Sequence, residues 1–289
     1  MAPERITSAQ NPKIKELLAL QEKSRLRRER GLFVVEGRRE LEHCLAAGFT
    51  LDTVFVCPEI FNGDVHRLFA GQNGRLLRRA ERFTPSGECS PQQTAAPPRI
   101  IEVTPELYEK IAYRGGTEGI LAEVRARELT LKDLTPRPEP LIIVLESVEK
   151  PGNLGAVLRS ADAAGADAVL ICDPLTDLWN PNLIRASLGG IFTVPCVATD
   201  SPSAIAWLKG HGIRILTAQL QDSVWYYDSD MRRGIALVIG TESTGLTDRW
   251  REAADEHIRI PMLGRLDSLN ASVSAAILLF EAVRQRNAR

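Results

Sequence analysis

From Leu141 to the C-terminus, short apolar runs alternate with stretches of helical periodicity, and this alternation restricts the fold more than any other feature. The runs Leu141–Leu145, Ala168–Ile171, Thr193–Val197, Ile213–Thr217, Ile235–Ile239 and Ile258–Ile260 read as strands without a solvent face. Helices are expected between them, around Leu154–Ala164, Pro181–Leu188, Ser203–His211 and Asp248–Ala254. A last helix, over about Ala271–Arg286, places Val273, Ala276, Ile277, Phe280 and Val283 on one stripe as its core face. Buried strands alternating with helices predict an α/β fold, with a mostly parallel sheet covered by helices on both faces. Ligands of such sheets sit at the carboxyl ends of the strands.

The first part of the chain has another rhythm. Asn11-Pro12 reads as a helix cap and first helical residue, opening a helix with Ile14, Leu17, Leu18 and Leu20 on one side. Strands at Leu32–Val35, Val54–Val56 and Ile100–Val103 and helices near Leu41–Leu45 and Pro105–Ala112 make a small α/β domain over residues 1–126. Pro136, Pro138 and Pro140 mark 127–140 as a linker into a domain of residues 141–289. The Pro-rich stretch 84–98 reads as a mobile loop.

Hydrophobic content of 44% and charged content of 25% are those of an ordinary globular protein. No run approaches the ~18–20 apolar residues of a membrane span, and the N-terminus does not read as a signal peptide. The five cysteines (Cys44, Cys57, Cys89, Cys172, Cys196) are scattered without a C-x-x-C spacing, which predicts reduced thiols in a cytoplasmic protein. The four histidines (His43, His66, His211, His257) are equally dispersed, so no metal is expected. Net charge is only −1, but residues 1–30 hold eight Lys or Arg against four Glu, and Arg75, Arg78, Arg79 and Arg82 stand against Glu81. Such patches fit phosphate binding, but a solvated helix face is their commoner explanation.

Three strand ends carry polar blocks. After the strand at Leu141, Lys150-Pro151-Gly152-Asn153-Leu154-Gly155 turns into a helix bearing Arg159, with Asn153 read as its cap. The glycine spacing is G-x-x-G, not the G-x-G-x-x-G of a dinucleotide loop. After Ile239 comes Gly240-Thr241-Glu242-Ser243-Thr244-Gly245, where the glycines either merely turn the chain or let a flat ring approach the backbone. After Ile260 comes Pro261-Met262, then Ser268-Leu269-Asn270-Ala271-Ser272 at the start of the last helix. There Ser and Asn are first of all candidate caps.

Together, Asn153-x-Gly155-x-x-x-Arg159, Gly240-x-Glu242-x-x-Gly245 and Ile260-Pro261-Met262 with Ser268-Leu269-Asn270 resemble the SpoU (TrmH-like) RNA ribose methyltransferases of the SPOUT class. Asn180–Ser187 resembles the family's intermediate segment, and Ile6–Gly37 its N-terminal RNA-binding domain. The resemblance implies methyl transfer from S-adenosyl-L-methionine to a ribose 2′-hydroxyl in rRNA or tRNA, with rRNA favoured. It also implies a C-terminal trefoil knot, a homodimer paired through the catalytic domain, and no metal. It assigns catalysis to Arg159, Asn153, Glu242, Ser268 and Asn270. Thr217, Ala218, Gly240, Ile260, Met262, Leu269 and Asn270 would hold the cofactor, and Arg159, Arg185, Ser187, Arg27 and Arg28 the RNA. A guanidinium with a pKa above ~12 rarely releases its proton, so Arg159 is expected to grip a phosphate and polarise the hydroxyl. Departures from the family pattern are Ala271, where valine is usual, and the 84–98 loop. Two rival readings are a binding protein with a degenerate transferase domain and a nucleotide-dependent oxidoreductase; the wrong glycine spacing opposes the latter.

Overall fold

The computed structural model describes residues 4–65, 68, 97–113 and 118–288. The cluster Arg75–Arg82, Cys89, His66 and most of the 84–98 stretch lie outside the described residues. Two compact units are present: Met1–Arg127 with Asp177–Thr193, and Glu128–Thr176 with Val194–Arg289.

The first unit is built on a five-stranded mixed sheet of β1 (Glu4–Ile6), β2 (Leu32–Glu36), β3 (Leu51–Val56), β4 (Arg99–Val103) and β5 (Ile120–Arg125), in the order β1-β4-β3-β5-β2. Helix α1 (Pro12–Glu22) starts where expected, because Asn11 accepts from the Lys13 N–H at 2.9 Å and Pro12 supplies a fixed φ. Its Ile14, Leu17 and Leu20 join Phe55, Ile101, Leu107, Tyr108 and Leu121 in one core. Helices α2 (Ser24–Arg30), α3 (Arg38–Ala46) and α4 (Pro105–Ile111) complete the N-terminal part. A second apolar contact forms far along the sequence, where Phe33 stacks on Trp179 with ring centroids 4.4 Å apart and Phe49 and Phe192 pack beside them.

The second unit holds β6 (Leu141–Glu146), β7 (Ala168–Cys172), β8 (Cys196–Thr199), β9 (Arg214–Ala218), β10 (Val224–Trp225), β11 (Ile235–Ile239) and β12 (Glu256–Arg259). All pair in parallel, in the order β10-β12-β9-β11-β6-β7-β8. Strand residues alternate between faces. Ile142, Val144, Leu170, Ile215 and Val238 pack with Ala204 and Leu208 of a helix over Ser201–Gly210 and with Trp250 of one over Asp248–Ala253. Helices over Pro151–Ala164 and Ala271–Asn287 pack against each other, and the latter also against β11 and β6. Short helices over Pro181–Ser187 and Gly190–Thr193 belong to the first unit. In chain order the six helices from Pro151 onward are α5 to α10.

Two expectations need correction. The strand sought at Thr193–Val197 forms at Cys196–Thr199, because Pro195 has no N–H to give a ladder and the chain before it is still helical. The core face of α10 is the opposite one. Ala271, Ala275, Leu278, Leu279 and Ala282 are buried, while Val273 is 46% and Phe280 47% exposed. Three of the five buried residues are alanines, and α10 packs closely against α5.

Candidate functional site

Strands β6 and β11 are neighbours in register, with Leu145 beside Ile239, so the turns that follow them emerge side by side. After β6, Pro151 starts α5 at its first position and Lys150 takes the cap. Asn153 is therefore not the cap. It lies inside the first turn, and its side chain is free to reach outward.

Asn153 and Asn270 converge on Glu242. Glu242 Oε1 accepts from Asn153 Nδ2 at 3.1 Å, Asn270 Nδ2 at 2.6 Å and the Ala271 N–H at 3.3 Å. Its Oε2 accepts from Lys150 Nζ at 3.3 Å. Asn270 Nδ2 also donates to Asn153 Oδ1 at 3.1 Å, closing a triangle. At the same time Asn270 Oδ1 accepts from the Ser272 N–H at 3.0 Å, so cap and site residue are one side chain. The Ala271 N–H first, then Lys150, hold the Glu242 carboxyl below the usual carboxylate range. A carboxylate engaged by four donors organises its neighbours and is a poor proton acceptor.

Beside this triangle opens a cleft of about 410 Å³, within the ~300–1,000 Å³ usual for small-molecule sites. Of the expected cofactor residues, Ala218, Gly240, Ile260, Met262 and Leu269 line it, as do Ser268 and Glu242. Asn270 touches the site through Glu242 rather than by lining the cleft. Thr217 is fully buried, with Oγ1 2.6 Å from His257 Nδ1, and ties β9 to β12 instead of lining the cleft. The space beside Gly240 is also taken. A Cβ there would stand 2.3 Å from the Gly245 carbonyl carbon, because Thr241 and Gly245 exchange two backbone hydrogen bonds that fold the loop onto itself. Loop closure by itself requires glycine at 240, and its backbone still lines the cleft.

Arg159 is exposed, has no hydrogen bond or ion pair among the described residues, and does not line the cleft. It stands six residues beyond Asn153, about 9 Å along the helix axis. Among the expected RNA residues, Arg28 is exposed and Arg185 is exposed with its guanidinium 5.6 Å from the Tyr113 ring centroid. Arg27 and Ser187 are corrections. Arg27 is 3% exposed, giving Nε to Asp177 Oδ2 at 2.6 Å and Nη1 to the Leu20 carbonyl at 2.6 Å. Ser187 is 2% exposed and donates to the Ile184 carbonyl at 2.8 Å. Both are internal fasteners, with nothing left to offer RNA.

The sequence reading missed Lys150, Gln219 and Arg251. Lys150 adjoins Pro151, and a cation beside a helix start that also carries Asn153 was the available signal. Gln219 and Arg251 line the cleft but belong to none of the three motifs. Among the described residues, no group of His, Cys, Asp or Glu could hold a metal ion.

Residues 140–280 match the SpoU rRNA Methylase family, and residues 11–122 an MRM3-like substrate binding domain. The 23S rRNA (guanosine-2′-O-)-methyltransferase RlmB of Ralstonia nicotianae is 35% identical over 74% of this chain and 85% of its own. A 23S rRNA (uridine(2479)-2′-O)-methyltransferase of Streptomyces viridochromogenes is 31% identical, over 64% of this chain and 67% of its own. The structure of an AdoMet-bound rRNA methyltransferase from Sinorhizobium meliloti superposes with a TM-score of 0.83 at 27% identity, covering 99% of both chains.

Proposed function

Because the chain belongs to the SpoU rRNA methylase family, we propose that it transfers a methyl group to a ribose 2′-hydroxyl of RNA, with 23S rRNA as substrate. The observation that carries this reading is the Asn153–Glu242–Asn270 triangle at the edge of a cleft formed by the ends of β9, β11 and β12. The cleft chemistry suits S-adenosyl-L-methionine. Ile239, Ile258, Ile260, Met262 and Leu269 offer apolar walls for a flat base, and no phosphate-cradling glycine loop is needed for a cofactor without phosphates. When bound, the cofactor supplies an electrophilic methyl on its sulfonium.

In this reading Glu242 fixes the two asparagines, and they orient the incoming ribose. Arg159 grips the adjoining phosphate and polarises the 2′-hydroxyl; positioning is the main source of rate. Residues 1–126, with Arg28, and Arg185 of the intermediate segment collect the RNA. The segment 260–270 completes a trefoil knot around the cofactor. No helix among the described residues is long and apolar enough to cross a membrane, and the cytoplasm is the compartment that fits this reading.

A homodimer through the catalytic domain belongs to the same proposal. Val273 and Phe280 leave an exposed apolar stripe on α10, the face a second copy would cover. Arg159 stands away from its own chain's cleft, and pairing offers it a route to the other.

The test uses labelled cofactor with 23S rRNA and with tRNA. Label in 2′-O-methylated ribose of the rRNA, lost in Arg159→Ala with cofactor affinity kept, is expected. Label on tRNA alone would redirect the substrate; near-normal turnover by Arg159→Ala would return that arginine to a plain surface role.

A further inference from the structure

Among the described residues, two buried polar atoms on residues that line the cleft have no hydrogen-bond partner: Gln219 Oε1 and Arg251 Nε. Buried polar atoms are nearly always paired, so an unmet acceptor and an unmet donor lining one cleft call for an occupant. The Gln219 amide is oriented by its own contact. Nε2 donates to the Gln221 carbonyl at 3.0 Å, an atom that can only accept, which leaves Oε1 as the free acceptor. Among the described residues, Arg251 holds a long 3.4 Å contact through Nη1 to Asp248, and its Nε is uncommitted.

The sheet order places this pair relative to the chemistry. Gln219 directly follows β9, and α9, which carries Arg251, packs against β9. The Glu242 triangle spans the ends of β11 and β6, and β9 lies beyond β11 on the side away from β6. At ~4.8 Å per strand, Gln219 stands about 10 Å across the sheet from the β6 turn that carries Lys150 and Asn153. A methyl donor with its sulfonium at the triangle would extend one of its two arms toward Gln219 and Arg251. Of the two arms, the adenosyl one fits the orphan atoms, because the exocyclic amine of adenine can donate to Gln219 Oε1 and the ring nitrogen next to it can accept from Arg251 Nε.

We propose that Gln219 and Arg251 read the adenine edge of the cofactor and set its base specificity. The assignment rests on the cofactor reading above. Hypoxanthine is the discriminating probe, because it replaces the amine with a carbonyl and would set acceptor against acceptor at Gln219.

The experiment is calorimetric binding of S-adenosylhomocysteine and S-inosylhomocysteine to the full chain. The wild type should prefer the adenosyl ligand by about 100-fold, since two lost hydrogen bonds cost roughly tenfold each. Gln219→Leu and Arg251→Met should each cut that preference by about tenfold or more, mainly by weakening the adenosyl ligand. Gln219→Glu, which keeps an acceptor, should retain most of it and shows that the position tolerates change. An unchanged preference in both truncations overturns the assignment. So does equal weakening of both ligands, which would put the residues on the ribose or the amino-acid arm. Wild-type binding without preference overturns the assignment alone; failure of the wild type to bind S-adenosylhomocysteine removes the cofactor reading with it.

Discussion

Asn270 joins a helix cap to a carboxylate: its Nδ2 donates to Glu242 Oε1 at 2.6 Å while its Oδ1 accepts from the Ser272 N–H at 3.0 Å. The two duties can be separated. Serine at 270 keeps a capping oxygen but has no amide to reach Glu242 and Asn153. Asn270→Ser should unfold within ~0.5 kcal/mol of the wild type and lose methyl transfer by about tenfold or more. Asn270→Ala should lose the same activity and, in addition, about 1 kcal/mol of stability. Thermal melts beside single-turnover assays give both numbers; equal activities in wild type and Asn270→Ser would confine Asn270 to capping.

Lys150 holds the second oxygen of Glu242 with a side chain that is itself 71% exposed. Its charge helps keep that carboxyl ionised, a state present above the usual carboxylate range and lost as pH falls. Lys150→Met should therefore move the acid limb of kcat toward higher pH, with the deficit small at pH 8 and growing as pH falls, and Lys150→Arg should restore it. An acid limb that stays in place would mean the 3.3 Å contact is incidental.

Arg27 and Arg28 are adjacent in sequence and opposite in role. Truncating Arg27 strands Asp177, itself only 16% exposed, without its partner; such losses cost about 3–5 kcal/mol. Arg28→Ala should leave stability within ~0.5 kcal/mol and lower the salt slope of RNA binding by about one. Filter binding across a salt series, with melts on both variants, separates the cases. A stable Arg27→Ala variant with weakened RNA binding would reverse the roles.

The contrast shows where one-dimensional reading runs out. The strand ends bearing Asn153, Glu242 and Asn270 were legible because a fully buried strand announces itself in a short window and polar residues immediately after it stand out. Arg27 was not legible, because its burial depends on Asp177, 150 positions away in a segment that packs with the first unit. The core face of α10 was ambiguous for another reason. Two apolar stripes share that helix, and only the close approach of α5 decides that the alanine-rich one goes inward. Gln219 and Arg251 belong to no motif, and their unmet atoms become visible only once the cleft is folded.

Glu123 gives a pH-dependent prediction in the first unit. It lies on β5 beside Thr53 of β3, 7% exposed, and burial pushes its carboxyl up to about 7. A raised folded pKa means the neutral form fits the fold. The stability it contributes is present below the unfolded carboxylate range and is lost as pH rises through about 7. Glu123→Gln stays neutral throughout, so its advantage over the wild type should grow by about 3 kcal/mol between pH 4.5 and pH 8. Urea unfolding at those two pH values measures the difference; a constant gap would show that folding leaves the Glu123 pKa unshifted.

The exposed stripe of α10 supplies the last prediction. Phe280 and Val273 are each nearly half exposed on a helix whose other side is core, so they can be changed without opening the interior. If a second copy covers them, a charge at either position must be desolvated against an apolar surface or the pair must separate. Separation costs less, because an isolated buried charge is far more expensive than exposed apolar area. Light scattering should give about twice 31.9 kDa for the wild type and the single-chain mass for Phe280→Asp. The variant should keep the wild-type melting temperature at low concentration and lose methyl transfer, since Arg159 would then have no second cleft to reach. A wild type that is monomeric and fully active at micromolar concentration would assign the stripe to some other contact, and a dimeric Phe280→Asp would move the interface elsewhere on the catalytic unit.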